Sequence, residues 1–390
     1  MQLAERMVRY AAIEAYRKRP LIIYATSTRP GVSAHMAGDA VREFVDQIDA
    51  IPAEKKEVDV LIHSAGGDGL AAWKIMSLLR ERFENVGVLV PFMAFSAATL
   101  FALGADKIVM HPHASLGPID PQVAMKQSDG TVKQFAYEDV GAFLRFLVTD
   151  AKITEQAHTS AGMEKLFSVV DPVGVGAAKR ASELASSIGE RLLRTHMTGE
   201  DKFQAKEIAE NLNKTFFAHG DAVSRTRANE LHLKIAEADP EIENLIWQAY
   251  VGLEAYLQLR IPFDPLQHYL SNPAAAATLV PLAPAALPAN TPPQVATQIW
   301  QAIGNQAIQN QTKAIEVPFT TRNAVIESTR VSSEHRADGK ISASVLPNGE
   351  VRISMIKTFA AWSAVASYAH TTAQAAASAG QTVPQTGATT

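Results

Sequence analysis

DVLIHSAGGDG (residues 59–69) and VGVLVPFMAFSAATL (residues 86–100) are two runs that each leave an apolar strand and enter a helix. The strand of the first run leads to adjacent glycines, Gly66 and Gly67, and the strand of the second run ends at Ser96. Glycines allow positive φ and let a ligand approach backbone N–H groups closely. A serine that opens a helix can act as a nucleophile. Together the two runs predict an oxyanion-binding turn beside a reactive serine.

The residues around these runs alternate between strand-like and helix-like patterns, which predicts parallel βαβ units. Both turns would then lie at the carboxyl ends of neighbouring strands, where open α/β sheets bind their ligands. The predicted strands are 21–24, 59–62, 86–90 and 107–110, and the predicted helices are 3–17, 36–51, 70–83 and 96–103. Farther along the chain, apolar residues recur at helical spacing in residues 137–150, 172–196, 199–213 and 224–230.

Composition excludes several classes of function. The 390 residues are 47% hydrophobic and 19% charged, with a formal net charge of −4, so nothing favours a nucleic acid or an anionic membrane as partner. The chain has no cysteine, which excludes disulfides and thiolate metal sites. Histidine spacing gives no metal motif, and no cofactor is expected. Without an apolar signal sequence or a long apolar run, the prediction is a cytoplasmic protein with no membrane span.

Each turn has an ordinary structural explanation. The glycines fit neither the GxxxxGK[ST] nor the GxGxxG phosphate-binding pattern, so alone they indicate only a tight strand-to-helix turn. Ser96 alone could be a helix N-cap. Their occurrence at neighbouring strand ends is what favours a catalytic site.

The segment PFMAFSAATLFALGADKIVMHPHASLGPIDPQ (residues 91–122), preceded by the diglycine run, resembles the serine dehydrogenase proteinase family. That family belongs to the ClpP/crotonase superfamily and is related to signal peptide peptidase A. The similarity covers residues 19–123, and less closely 140–254, including HGDAVSRTRANELHL (residues 219–233). It implies an α/β fold with a ClpP/crotonase-like core, a spiral of repeated ββα units, and a helical C-terminal extension.

By this resemblance Ser96 is the nucleophile, and the N–H groups of Gly67 and Ala97 form the oxyanion hole. The sequence departs from the family at Ala65, where relatives often have proline, and at Ala97-Ala98, where many have two glycines. Both substitutions keep the backbone donors.

The proton acceptor is less clearly indicated. At the position of the ClpP histidine the chain has Asp120, and a carboxylate of ordinary pKa is a poor base for a hydroxyl. A lysine with a pKa lowered by burial could serve, as in signal peptide peptidase A. Lys152 has the most similar spacing, and His219 is an alternative base along with Asp120. The other lysines considered are Lys126, Lys133, Lys165 and Lys179, and His111 and His113 are expected to be structural.

Four regions are expected. Residues 1–260 form the peptidase domain, and the Ala/Pro-rich residues 261–300 form a linker. Residues 301–370 form an accessory segment with a β-hairpin over 341–356 that turns at residues 347–349. Residues 371–390 form a disordered tail.

The expected function is a serine endopeptidase with a Ser96–Lys152 dyad, acting on peptide or protein substrates as a homo-oligomer (trimer, hexamer or ring). Two alternatives stay open. One is a catalytically inactive assembly or binding protein of the same fold, and the other is crotonase-like acyl-CoA chemistry.

Overall fold

The computed structural model describes residues 2–126, 131–199, 201–214, 222–279, 287, 290–312, 315–346 and 350–365. The strands are β1 (Leu21–Thr26), β2 (Glu57–His63), β3 (Asn85–Val90), β4 (Met93–Ala94), β5 (Lys107–Met110), β6 (Ser115–Leu116), β7 (Val123–Lys126), β8 (Val132–Phe135), β9 (Val223–Ser224), β10 (Val317–Glu327), β11 (Ser332–Val345) and β12 (Val351–Val365). The helices of the first half are α1 (Leu3–Arg17), α2 (Ala40–Asp49), α3 (Gly69–Arg82), α4 (Ala97–Leu103), α5 (Tyr137–Arg145), a π-helical turn (Phe146–Asp150), α6 (Gln156–Phe167) and α7 (Pro172–Leu193). Those of the second half are α8 (Asp201–Lys214), α9 (Arg225–Glu230), α10 (Pro240–Leu257), α11 (Pro265–Leu270), α12 (Pro273–Ala276) and α13 (Pro293–Thr312).

The central sheet has the strand order β12-β11-β10-β1-β2-β3-β5. Strands β1, β2, β3 and β5 are parallel, which confirms the predicted βαβ pattern. Strand β10 pairs antiparallel with β1, and β11 and β12 continue in the antiparallel sense. The sheet is therefore mixed, with its parallel part at the end that carries the diglycine turn.

Successive side chains of a strand point to opposite faces of the sheet, so both faces of these apolar strands need to be covered. Helices cover both. On one face Ile22 and Tyr24 of β1 join a core with residues of α2, α3, α4 and α7. On the other face Leu21 and Ile23 join a core with residues of α1 and α10. Both faces are buried, as parallel sheets require. The carboxyl ends of β2 and β3 are thereby held rigidly at one edge.

The C-terminal third is more closely joined to the sheet than the sequence predicts. Residues 261–300, expected to be a linker, include α11 and α12, whose buried Tyr269 and Ala275 pack against Phe319 of β10 and Ile341 of β11. Residues 301–370, expected to be an accessory segment, supply three strands of the central sheet itself. The first half of β10, VPFTTR (residues 317–322), explains the difference, since a proline and two adjacent threonines interrupt the apolar alternation that indicates a strand.

Strands β11 and β12 pair with Val345 opposite Val351, around the turn predicted at residues 347–349. They extend over residues 332–365, well beyond the predicted hairpin of 341–356. The turn itself and the predicted tail at 371–390 lie outside the described residues. Within the described part of the chain, every helix is either too short or too polar to cross a lipid bilayer.

Candidate active site

The diglycine turn follows β2 and is held by the backbone of Met36. The N–H of Met36 donates to the carbonyl oxygen of Gly66 at 2.8 Å, and the N–H of Asp68 donates to the carbonyl of Met36 at 2.8 Å. Gly66 has φ +104° and Gly67 has φ +147°, conformations that side chains rarely adopt. A Cβ on Gly67 would lie 2.2 Å from the carbonyl oxygen of Met36. Glycine is therefore required at this position.

The same contacts orient the N–H of Gly67. In a trans peptide the C=O of one residue and the N–H of the next point in opposite directions. Because the Gly66 carbonyl points to Met36, the Gly67 N–H points away from Met36. Among the described residues it has no hydrogen-bond acceptor. It is left available to a ligand.

Ser96 lies in a strained turn between β4 and α4. Its φ of +52° and ψ of −117° are outside the regions that ordinary residues adopt, at a cost of about 1–3 kcal/mol. The turn is held by hydrogen bonds from the N–H of Leu100 to the Ser96 carbonyl and from the N–H of Ala98 to the Phe95 carbonyl. Strain at one residue that its surroundings maintain is typical of active sites.

The hydroxyl of Ser96 does not cap the helix that it precedes. Within the described part of the chain, no group forms a hydrogen bond with it. The N–H of Ala97, in the first turn of α4, likewise has no acceptor there. The ordinary N-cap explanation of Ser96 therefore does not apply.

Thr99 fixes α4 to its surroundings. Its buried hydroxyl oxygen lies 2.7 Å from the carbonyl oxygen of Ala94 and 2.8 Å from that of Gly117, either of which can accept its single proton, and it accepts from the N–H of Gly117 at 3.0 Å. Ala94 belongs to β4 and Gly117 follows β6, and these two short strands pair in parallel. The serine-bearing turn is thus anchored on both sides.

A cavity of about 150 Å³ lies against Ser96, Ala97 and Gly67. Asp68 lines it too, and it is the one ionisable side chain among the described residues that do so. Its carboxylate caps α3 by accepting from the N–H of Leu70 at 2.8 Å, a contact that sequence reasoning missed although Asp is a preferred N-cap. The remaining lining is mainly apolar and comes from Leu70, Leu100, Ile119, Pro121, Ala181, Leu184, Ala185 and Ile188.

The structure brings the nucleophile and oxyanion candidates together but not the candidate bases. Lys152 follows the π-helical turn, with φ +56° and an exposed side chain, and it does not line the cavity. Asp120 is partly exposed, accepts from the amide of Gln122 at 3.1 Å, and lies outside the lining although its two neighbours belong to it. His219 falls outside the described residues.

The other histidines have structural surroundings. His111 stacks on Trp247 with ring centroids 4.8 Å apart, and its Nδ1 accepts from the N–H of His113. Burial, followed by the neighbouring imidazole of His113, lowers the pKa of His111. His63 is fully buried between Phe92 and Tyr250, and burial lowers its pKa to about 4. Among the described residues no group of three or more potential ligands could hold a metal ion.

Comparison with known protein families shows what the segment that carries the site is similar to. Residues 34–144 match the family of ClpP-like SDH-type serine proteinases. The resemblance predicted from the sequence is thereby confirmed, and with it the ClpP-like fold. The segment matched to these proteinases contains Met36, the diglycine turn, Ser96 and Asp120, whereas Lys152 lies beyond it.

Two relatives of this chain come from Methanocaldococcus jannaschii, and both are uncharacterized proteins. One is 32% identical over 216 residues, covering 55% of this chain and 64% of the relative. The other is 26% identical over 205 residues, covering 53% of this chain and 59% of the relative. The chain thus spans less than two thirds of the length of these relatives.

Similar solved structures include the 1510-N membrane-bound stomatin-specific protease and ClpP1 from Listeria monocytogenes. The first, as an S97A mutant, has a TM-score of 0.36 and 13% identity, and the match covers 58% of this chain and 84% of the other. The second has a TM-score of 0.32 and 14% identity, covering 60% of this chain and 99% of the other.

Proposed function

We propose that this chain is a serine endopeptidase in which Ser96 is the nucleophile and the N–H groups of Gly67 and Ala97 form the oxyanion hole. The observation that carries the proposal is the geometry at Ser96. Its hydroxyl does not cap the helix, it lies at a strained turn, and it shares a cavity with two N–H groups that have no acceptor among the described residues. The match to the ClpP-like serine proteinases supports the same reaction class.

In the proposed reaction the Ser96 oxygen attacks the carbonyl carbon of the scissile peptide, and its proton passes to a base. The carbonyl oxygen becomes an oxyanion that accepts hydrogen bonds from Gly67 and Ala97. The base then protonates the leaving amine as the carbon–nitrogen bond breaks. The same base then takes a proton from water, which attacks the acyl-enzyme. As the ester bond breaks, the base gives this proton to the Ser96 oxygen.

The cavity beside Ser96 suits an apolar side chain of the substrate. Its lining is mainly leucine, isoleucine and alanine, and burial of a leucine-sized side chain gives about 2 kcal/mol. We therefore propose that the enzyme cleaves peptides with an aliphatic side chain next to the scissile bond.

We retain Lys152 as the proposed base, supplied by a second subunit of a homo-oligomer. Its side chain is exposed in one chain, and a subunit contact would both shield it from water and bring it to a neighbouring Ser96. Exposed apolar side chains of the same region, including Phe146 and Val148 in the π-helical turn, offer a surface for such a contact.

Labelling with a fluorophosphonate probe tests the nucleophile. We expect labelling of the wild type and none of Ser96→Ala, and equal labelling of both would contradict the proposal. Lys152→Ala should abolish labelling, while Lys165→Ala, which removes another exposed lysine from the neighbouring helix α6, should not. Mixing the Ser96→Ala and Lys152→Ala chains should restore part of the labelling if the base comes from the partner subunit. Without restoration, the base acts within one chain or is another group.

A second candidate is an assembly or binding protein that keeps the fold without hydrolysis. It is favoured by one observation, that no described group lies within hydrogen-bond reach of the Ser96 hydroxyl. Cleavage of casein or a peptide library by the wild type, lost in Ser96→Ala, would exclude this candidate. Absence of both labelling and cleavage would favour it.

A further inference from the structure

Ser64 lies at the junction between the diglycine turn and the strand that leads to Ser96. It follows β2 directly, is fully buried, and forms an isolated parallel bridge with Ala94 of β4. Its N–H donates to the Met93 carbonyl at 3.1 Å, and its carbonyl accepts from the N–H of Phe95 at 3.0 Å. Through its backbone, Ser64 therefore fixes the residues that immediately precede Ser96.

The side chain of Ser64 extends the same connection to the turn. Its Oγ accepts a hydrogen bond from the N–H of Gly66 at 3.0 Å and another from the hydroxyl of Thr26 at 2.7 Å. Thr26 is fully buried at the end of β1, so it provides a fixed donor. The Gly66 N–H belongs to the peptide plane immediately before the one that carries the N–H of Gly67.

Two adjacent peptide planes of the turn are thus each held by a hydrogen bond. Ser64 Oγ holds the plane before Gly66, and the N–H of Met36 holds the plane between Gly66 and Gly67. Since each glycine is at positive φ with little intrinsic preference for a single conformation, loss of one contact would let the turn sample others. The direction of the Gly67 N–H would then vary.

We propose that Ser64 is a positioning residue. The Ser64 hydroxyl aims the Gly67 N–H at the oxyanion, and the Ser64 backbone sets the distance between the Gly67 N–H and Ser96. The inference rests on the proposed function, since it assigns a role within the same oxyanion hole. Ser64 does not itself touch the reacting atoms. Thr26 supports it by occupying the second acceptor position of the Ser64 hydroxyl.

The test compares Ser64→Ala with Ser328→Ala. Ser328 is also buried, and its Oγ also accepts from backbone N–H groups, those of Arg330 and Val331 at 3.1 Å, but in the turn between β10 and β11. The two variants lose the same chemical group from similar surroundings. Ser64→Cys, of nearly the same size with a weaker acceptor, is the conservative variant.

Two readouts separate positioning from stability alone. Inactivation by the fluorophosphonate probe, measured against probe concentration, should be about 10- to 100-fold slower at saturation in Ser64→Ala, with the half-saturating concentration unchanged. Ser64→Cys should be intermediate, and Ser328→Ala should react like the wild type. Amide hydrogen exchange in residues 64–70 should be about tenfold faster in Ser64→Ala only.

The two proposals fail in different ways. If the wild type is not labelled at Ser96, the proposed function fails, and exchange then decides whether Ser64 holds the turn. Unchanged exchange over residues 64–70 in Ser64→Ala would overturn the inference. The inference would also be overturned if the probe inactivated Ser64→Ala at the wild-type rate, or if Ser64→Ala and Ser328→Ala showed the same decrease in inactivation rate.

Discussion

At the residue scale, Gly67 shows how a single backbone position controls the candidate oxyanion hole. Gly67→Ala would place Cβ 2.2 Å from the Met36 carbonyl oxygen and 2.7 Å from its nitrogen, at a φ of +147°. We expect the turn to shift, with labelling of Ser96 reduced at least about 100-fold because one oxyanion donor is lost. Gly38→Ala is the matched control, since a Cβ there meets nothing within 4 Å. Equal labelling rates in the two variants would contradict the assignment of Gly67.

His63 gives a prediction about pH. Burial lowers its pKa from 6.5 to about 4, so the folded protein holds the imidazole neutral while the unfolded chain protonates it below pH 6.5. Stability should therefore fall as the pH decreases from 6.5 to 4, by about 3 kcal/mol from this group. Chemical denaturation of the wild type and of His63→Phe, which keeps an aromatic ring between Phe92 and Tyr250, measures this directly. If His63→Phe loses as much stability between pH 6.5 and 4 as the wild type does, the effect comes from other groups. Candidates are His111 and His196, whose pKa values burial also lowers.

At the scale of elements, the attachment of α4 depends on Thr99. Thr99→Val keeps the shape of the side chain but removes the hydroxyl partner of the Gly117 carbonyl oxygen, while the N–H of Gly117 still donates to the Ala94 carbonyl oxygen at 3.1 Å. We expect a loss of about 1–3 kcal/mol in the free energy of unfolding, because one buried carbonyl loses its hydrogen bond. Thr99→Ser retains the hydroxyl and should lose less than half as much. A similar loss in both variants would mean that the methyl group, rather than the hydrogen bonds, anchors the helix.

The sequence predicts the elements around the site better than it predicts the contacts within it. The four parallel strands could be recognised because they are continuous apolar runs separated by helices, and the turns at Gly67 and Ser96 follow from strand order. The contact of Met36 with the turn could not be predicted, since it is made by backbone atoms about 30 positions earlier in the chain. Spacing cannot tell where Lys152 lies relative to Ser96, because α5 and the π-helical turn lie between them in the sequence and spacing does not give their course in space.

At the scale of the whole molecule, the N-terminal helix and the C-terminal strands depend on each other. The sequence gives no sign of this, because Arg6 and Glu327 are separated by more than 300 residues and each looks like a surface charge. In the structure both are buried, and Tyr10 also donates to Glu327 at 2.9 Å. The pair fastens α1 to β10, next to β1 in the sheet. Residues 317–365 therefore complete the same folded unit that carries Ser96.

This arrangement predicts the effect of breaking the pair. Glu327→Gln removes the buried carboxylate to which Arg6 and Tyr10 donate and should destabilise the protein by about 3–5 kcal/mol. The double variant Arg6→Met/Glu327→Leu removes both charges and should be more stable than Glu327→Gln, since its apolar side chains carry no desolvation cost. Glu316→Gln, which breaks the exposed pair with Lys340, should change stability by less than about 1 kcal/mol. Denaturation by urea, followed by fluorescence, gives all three values. The double variant could instead prove no more stable than Glu327→Gln. The charge of Arg6 would then not explain the loss of stability, and the packing of Arg6 against Tyr256 would be the main contribution to it.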